Sequence, residues 1–118
     1  MSRVTQVAKL LDTSVRFRFD DFKIVMYVYT HDVVLTDALS GLLGGRYKAT
    51  IRASGRARMM RIAAEDALTM ILETCLPHLK ERQALCAAAL RYLRADTADG
   101  MLAAIQDVQR EMFKWPTQ

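Results

Sequence analysis

Between Arg46 and Arg61 the sequence places Arg46, Lys48, Arg52, Arg56, Arg58 and Arg61 with no acidic residue among them, and Arg16 and Arg18 stand two apart in an Arg-Phe-Arg-Phe run. Residues of this kind can hold a polyanion. A guanidinium fork pairs with phosphate oxygens or with the edge of a guanine, and alternate residues of a strand present such forks on one side. The acids are segregated from the run: Asp20, Asp21, Asp32 and Asp37 precede it, and Glu65, Asp66, Glu73, Glu81, Asp96, Asp99, Asp107 and Glu111 follow it. With a formal charge of +4 and a sequence pI of about 9.3, this segregation predicts a polyanion-facing surface. A merely solvated basic face is the alternative.

Other chemistries are poorly provided for. Cys75 and Cys86 lie in apolar helical surroundings without the paired spacing of a zinc or redox site, and they read as reduced core residues. His31 and His78 have no cysteine or second histidine at ligand spacing. Neither a Ser/His/Asp grouping, a phosphate-binding glycine loop nor a paired-carboxylate pattern is present. No catalytic residue, metal or cofactor is therefore expected.

The elements that must carry the arginines can be read from periodicity. The chain has 118 residues, 52% of them apolar, which suits one domain with one core. Val4, Val7, Ala8, Leu10 and Leu11 predict a helix to about Ser14, capped by Ser2 or Thr5. Arg16 to Phe19 then alternates as a strand. Asp20-Asp21 reads as a turn, and "FKIVMYVYT" as a central strand. A second helix with the stripe Val33, Val34, Ala38, Leu42 and Leu43 ends at Gly44-Gly45.

"RYKATIRAS" alternates again, with Arg46, Lys48, Thr50 and Arg52 on one face, and Ser54-Gly55 signals a hairpin into "RARMMRIAA". Met59-Met60-Arg61 breaks the alternation there. Either Arg56, Arg58 and Met60 or Ala57, Met59 and Arg61 could take the wet side. Helices follow over about Ala64 to Leu76-Pro77, Lys80 to Arg94 and Asp99 to Phe113, the last with the stripe Met101, Ile105, Val108 and Met112. No signal peptide or membrane-length apolar run is seen, so a cytoplasmic protein without membrane contact is expected. The order predicts an α+β fold with a four-stranded antiparallel sheet.

This order, joined to particular residues, resembles the LAGLIDADG family of homing endonucleases, whose core repeat is α-β-β-α-β-β-α. "VAKLLDTSVRF" (residues 7–17) matches the family's "LAGLIDADGSF" in type at Val7, Ala8, Leu10, Leu11, Asp12 and Phe17. "TDALSGLLGGRY" is similar to its second helix and glycine pair. "ILETCLPHLKERQAL" is similar to its Pro-Tyr-Leu-x-x-Lys segment, with Pro77, His78, Leu79 and Arg82 in the corresponding places. The resemblance implies a LAGLIDADG-like domain over residues 1–94, with residues 95–118 forming a further C-terminal helix and tail packed on it.

Two departures from the motif shape the functional expectation. The family's metal-holding acid at the end of the first helix corresponds to Ser14, a neutral hydroxyl unsuited to hard Mg²⁺. Asp12 lies about 200° away around the helix. The motif's helix-seam glycines correspond to Lys9 and Val15, and a lysine in a tight seam would bury an unpaired charge, so the family's close two-helix interface is doubtful, which leaves a looser or different homodimer, or a monomer.

The resemblance therefore implies a protein that binds nucleic acid, double-stranded DNA ahead of RNA, through a basic sheet face, and that has lost endonuclease activity in favour of a regulatory role. The expected contacts are Arg16, Arg18, Arg46, Lys48, Thr50, Arg52, Arg56, Arg58 and Arg61 on the sheet, with Arg82 beyond it. The alternative is a protein-interaction module or inhibitor on a degenerate scaffold, using the basic sheet or the final helix with Trp115.

Overall fold

A computed structural model describes the backbone of residues 2–44, 50–54 and 57–115, and the side chains of 2–44 and 57–115. Its order is α1 (Arg3–Ser14), β1 (Arg16–Asp20), β2 (Lys23–Thr30), α2 (Val33–Leu43), β3 (Thr50–Ser54), β4 (Ala57–Ile62), α3 (Glu65–Cys75), a 3₁₀ turn (Leu76–His78), α4 (Gln83–Arg94) and α5 (Ala98–Met112). This is a mixed helix-and-strand fold. The strands run antiparallel in the spatial order β1-β2-β4-β3, three of them with described side chains and β3 through its backbone pairing.

α1 starts where the Ser2 side chain accepts the Thr5 amide and ends at Val15 in extended conformation. Its inward residues Val7, Ala8, Leu10 and Leu11 are buried, because their spacing gathers them on one side of a 3.6-residue turn. With Phe17, Ile24, Met26, Val28, Met60 and Ile62 from the sheet and Leu68, Ile71 and Leu72 from α3, they form a single core. α5 lays Ala104 and Val108 into that core while Met101, Ile105 and Met112 are partly covered. Among the described residues no helix is long and apolar enough to cross a membrane.

The β1–β2 connection is tighter than the sequence suggests. Phe22 belongs to the turn rather than to the strand: Asp20 pairs with Lys23, and Asp21 and Phe22 take φ of 48° and 64°. Two successive left-handed residues make the mirror-image hairpin turn that matches strand twist. The Tyr92 hydroxyl of α4 donates to the Phe22 carbonyl and anchors the turn to the helices.

α2 is rotated relative to the expected stripe. Val33 and Val34 are exposed, whereas Thr36, Ala38, Leu39 and Leu43 are buried. Thr36 can go inside because its hydroxyl donates to the Val33 carbonyl at 2.9 Å. Gly44 closes the helix in left-handed conformation, φ 66°. Gly45 lies outside the described residues.

Candidate nucleic-acid interface

Pairing register decides which side chains share a face. Arg16 lies opposite Tyr27, Phe17 opposite Met26, Arg18 opposite Val25 and Asp20 opposite Lys23; on the other side of β2, Tyr27 lies opposite Arg61, Val28 opposite Met60 and Tyr29 opposite Met59. Side chains alternate along a strand, and directly paired residues point to the same side. Phe17, Met26, Val28, Met60 and Ile62 are buried against the helices. The opposite side therefore carries Arg16, Arg18, Asp20, Lys23, Val25, Tyr27, Tyr29, Met59 and Arg61, with Val25 covered by its neighbours at 2% exposure.

This resolves β4, whose alternation the sequence leaves open. Met60 is 0% and Ile62 1% exposed, so Ala57, Met59 and Arg61 take the open side. Arg58 falls on the helix side of the sheet, where it is exposed at the strand's start. It is not part of the open face, because placing it there would expose Met60. The register aligns Thr50 with Arg61 and Arg52 with Met59 along β3. Arg46, Lys48 and Arg56, and the side chains of Thr50 and Arg52, lie outside the described residues.

The described arginines of the face differ in freedom. Arg18 is well exposed and makes only a 3.5 Å ion pair with Asp20, itself exposed, an interaction worth little in water. Arg61 is half-buried beside Tyr27. Arg16 is also half-buried, and its guanidinium donates to the Trp115 carbonyl beyond α5. The Phe17 amide on the outer edge of β1 donates to the Met112 sulfur at 3.2 Å. The end of α5 thus covers the β1 edge, where unpaired strand amides would otherwise face solvent.

Arg82 is not a surface contact. It is 9% exposed, donates to the Val15 carbonyl at 2.9 Å and lies over the Trp115 ring at 4.6 Å. Burial, and then the Arg16 charge, pull its pKa down from the usual arginine range. It joins α4 to the α1–β1 junction and the chain's last described residue, a structural position that its sequence neighbours do not reveal.

The tip of α1 is similarly committed to the fold. Asp12 accepts the Lys80 amide at 3.0 Å and the Arg82 amide at 3.1 Å, ahead of α4. The Ser14 hydroxyl donates to the Leu10 carbonyl and accepts the Tyr29 amide, both at 3.1 Å, meeting a β2 donor just beyond the start of β1. A neutral hydroxyl with both roles taken, and a carboxylate turned to backbone amides, do not fit a hard divalent cation. Lys9 stands on the exposed stripe of α1 with Thr5 and Thr13.

Cys75 and Cys86 are free and buried, and burial pushes their thiols up to about 11 and about 12. At neutral pH both are packing residues rather than nucleophiles. His31 and His78 are exposed. Tyr27, Tyr29 and Lys23 are the face residues that sequence reasoning missed. Their signal is parity: all three share odd positions with Val25 in "KIVMYVYT", but the richness of that run in apolar residues reads as burial on both sides.

No family model and no curated protein matches the sequence. Solved structures do match. The homing endonuclease I-CvuI in complex with its target superposes with a TM-score of 0.66 at 12% identity, over 98% of this chain and 83% of that one. The archaeal intron-encoded homing endonuclease I-Vdi141I complexed with DNA gives 0.65 at 6% identity, over 98% and 86%. The LAGLIDADG meganuclease I-AabMI bound to uncleaved DNA gives 0.63 at 15% identity, over 92% of this chain and 44% of that one. The chain has a LAGLIDADG-like fold.

Proposed function

Taking that fold as the premise, we propose that this protein binds double-stranded DNA through the open face of its sheet and regulates rather than cuts it. The observation that carries the reading is the shared side of Arg16, Arg18, Lys23 and Arg61, opposite the buried Phe17, Met26, Val28 and Met60. The relatives in fold whose structures hold DNA make DNA the first polyanion to consider. Along β3 the backbone register sets Thr50 opposite Arg61 and Arg52 opposite Met59.

Loss of cleavage is supported by the tip of α1. Ser14 supplies no carboxylate, and Asp12 is occupied by the Lys80 and Arg82 amides. The protein therefore acts by occupancy: phosphate contacts supply affinity, and strand side chains read base edges.

The test is fluorescence anisotropy with labelled duplex DNA over a salt series. With about five phosphate contacts, the log-log slope should be about −4 to −5. Arg18→Ala and Arg61→Ala should each weaken binding, and Arg58→Ala less. Wild-type affinity in both Arg18→Ala and Arg61→Ala would remove the face from the interface. Plasmid incubated with the protein and Mg²⁺ should stay intact, and cleavage would restore the nuclease reading.

A further inference from the structure

We infer that the same face also takes single-stranded nucleic acid, with Tyr27 and Tyr29 as platforms for two successive unpaired bases. This rests on the face being a nucleic-acid surface, and it adds a ligand class that the arginines alone do not imply. β2 is an inner strand of the sheet, with β1 and β4 on either side. Its open side presents Tyr27 and Tyr29 at alternate positions, the first half-buried and the second 44% exposed. Tyr27 lies in one cross-strand row between Arg16 and Arg61, and Tyr29 lies beside Met59 in the next. Each ring thus has either a cation or a polarisable apolar neighbour at the roughly 4.8 Å spacing of adjacent strands.

Spacing argues for unpaired bases. Alternate residues on a strand are about 7 Å apart, roughly twice the 3.4 Å rise between neighbouring bases along a duplex strand. Two adjacent rings can each receive one of two successive bases only when the strand is unstacked and stretched. A duplex offers no such partner, since both faces of each internal base are covered by its neighbours. Unpaired bases expose π-faces, and aromatic side chains on an open antiparallel sheet beside a basic track are suited to binding them. Arg61 lies opposite Tyr27, and Arg18 lies one cross-strand row further along, opposite Val25; they supply the charge complementarity for the phosphates.

The experiment compares labelled oligothymidylate, oligouridylate and a duplex of equal length by fluorescence anisotropy at one salt concentration. Tyr27→Leu and Tyr29→Leu keep apolar bulk without a ring, and each should weaken single-strand binding about tenfold, the double variant about a hundredfold. Duplex affinity should fall less than single-strand affinity in the same variants, because stacking contributes nothing there. Tyr27→Phe and Tyr29→Phe should restore single-strand binding, and circular dichroism should show all variants folded.

Leucine variants that hold both oligonucleotides like wild type would overturn the inference, as would a wild-type protein that binds duplex and neither single strand. Failure of the interface itself looks different: Arg18→Ala and Arg61→Ala would then leave the affinities for duplex and single strands alike unchanged.

Discussion

The tip of α1 and the open side of the sheet lie close together in the fold but use their polar groups in opposite ways. At the tip, Asp12 and Ser14 give their oxygens to backbone donors from distant parts of the chain. On the sheet, Arg18 is ion-paired with an exposed carboxylate, and Tyr29 is nearly half in solvent. Groups at the first site hold the chain together, whereas Arg18 and Tyr29 at the second can be exchanged with little cost to stability. Chemistry open to a ligand is therefore found where hydrogen-bonding capacity has not been consumed by folding.

Asp12→Ala should break this contrast most severely. It strips the charged acceptor from the Lys80 and Arg82 amides, and a hydrogen bond to an ionised group contributes about 1.5–3 kcal/mol. Urea unfolding should report a loss of about 3 kcal/mol, while DNA affinity below the unfolding transition stays as in wild type. An unchanged midpoint would show the tip to be as dispensable as the sheet surface.

Alkali should act next, through the two buried thiols. The Cys75 and Cys86 thiols ionise at about 9 when unfolded and at about 11 and about 12 when folded. Because the folded values are raised, stability from these groups is intact below pH 9 and declines as pH rises toward the folded values. The slope should be about 1.4 kcal/mol per thiol per pH unit above 9. Unfolding midpoints measured at pH 8, 9 and 10 check this, and Cys86→Ala should flatten the decline.

Ser14→Ala should leave the Tyr29 amide without its acceptor and cost about 1–2 kcal/mol by the same urea assay. At the small end, Arg18→Ala should change stability by less than about 0.5 kcal/mol, its ion pair being exposed. Its effect should appear in DNA affinity and in a shallower salt dependence. A stability loss matching that of Asp12→Ala would erase the distinction between the two regions.

Local periodicity made most of the elements legible. The spacing of Val7, Ala8, Leu10 and Leu11 specifies α1, and the Arg-Phe-Arg-Phe alternation specifies β1 with its two faces. Where periodicity is silent, tertiary packing decides. Met59 and Met60 are chemically equivalent in the chain, and only the position of the helices sends Met60 inward. Arg82 reads as one more surface cation, because the Val15 carbonyl and Trp115 ring that enclose it lie 67 and 33 positions away. An aromatic residue in left-handed conformation, such as Phe22, has no sequence signal. The role of Ser14 is equally hidden, since its acceptor function depends on a strand amide 15 residues later.

The two-residue turn at Asp21-Phe22 has a consequence for how this surface can evolve. With both residues at positive φ and Asp20 paired to Lys23, the loop has no slack. A single inserted residue that shifted β2 by one place would carry Tyr27 and Tyr29 to the inside and bring Met26 and Val28 out. Substitutions can retune the surface one side chain at a time, but a change of chain length at that corner would invert it in one step. Tolerance to exchange and intolerance to insertion or deletion should therefore coexist there.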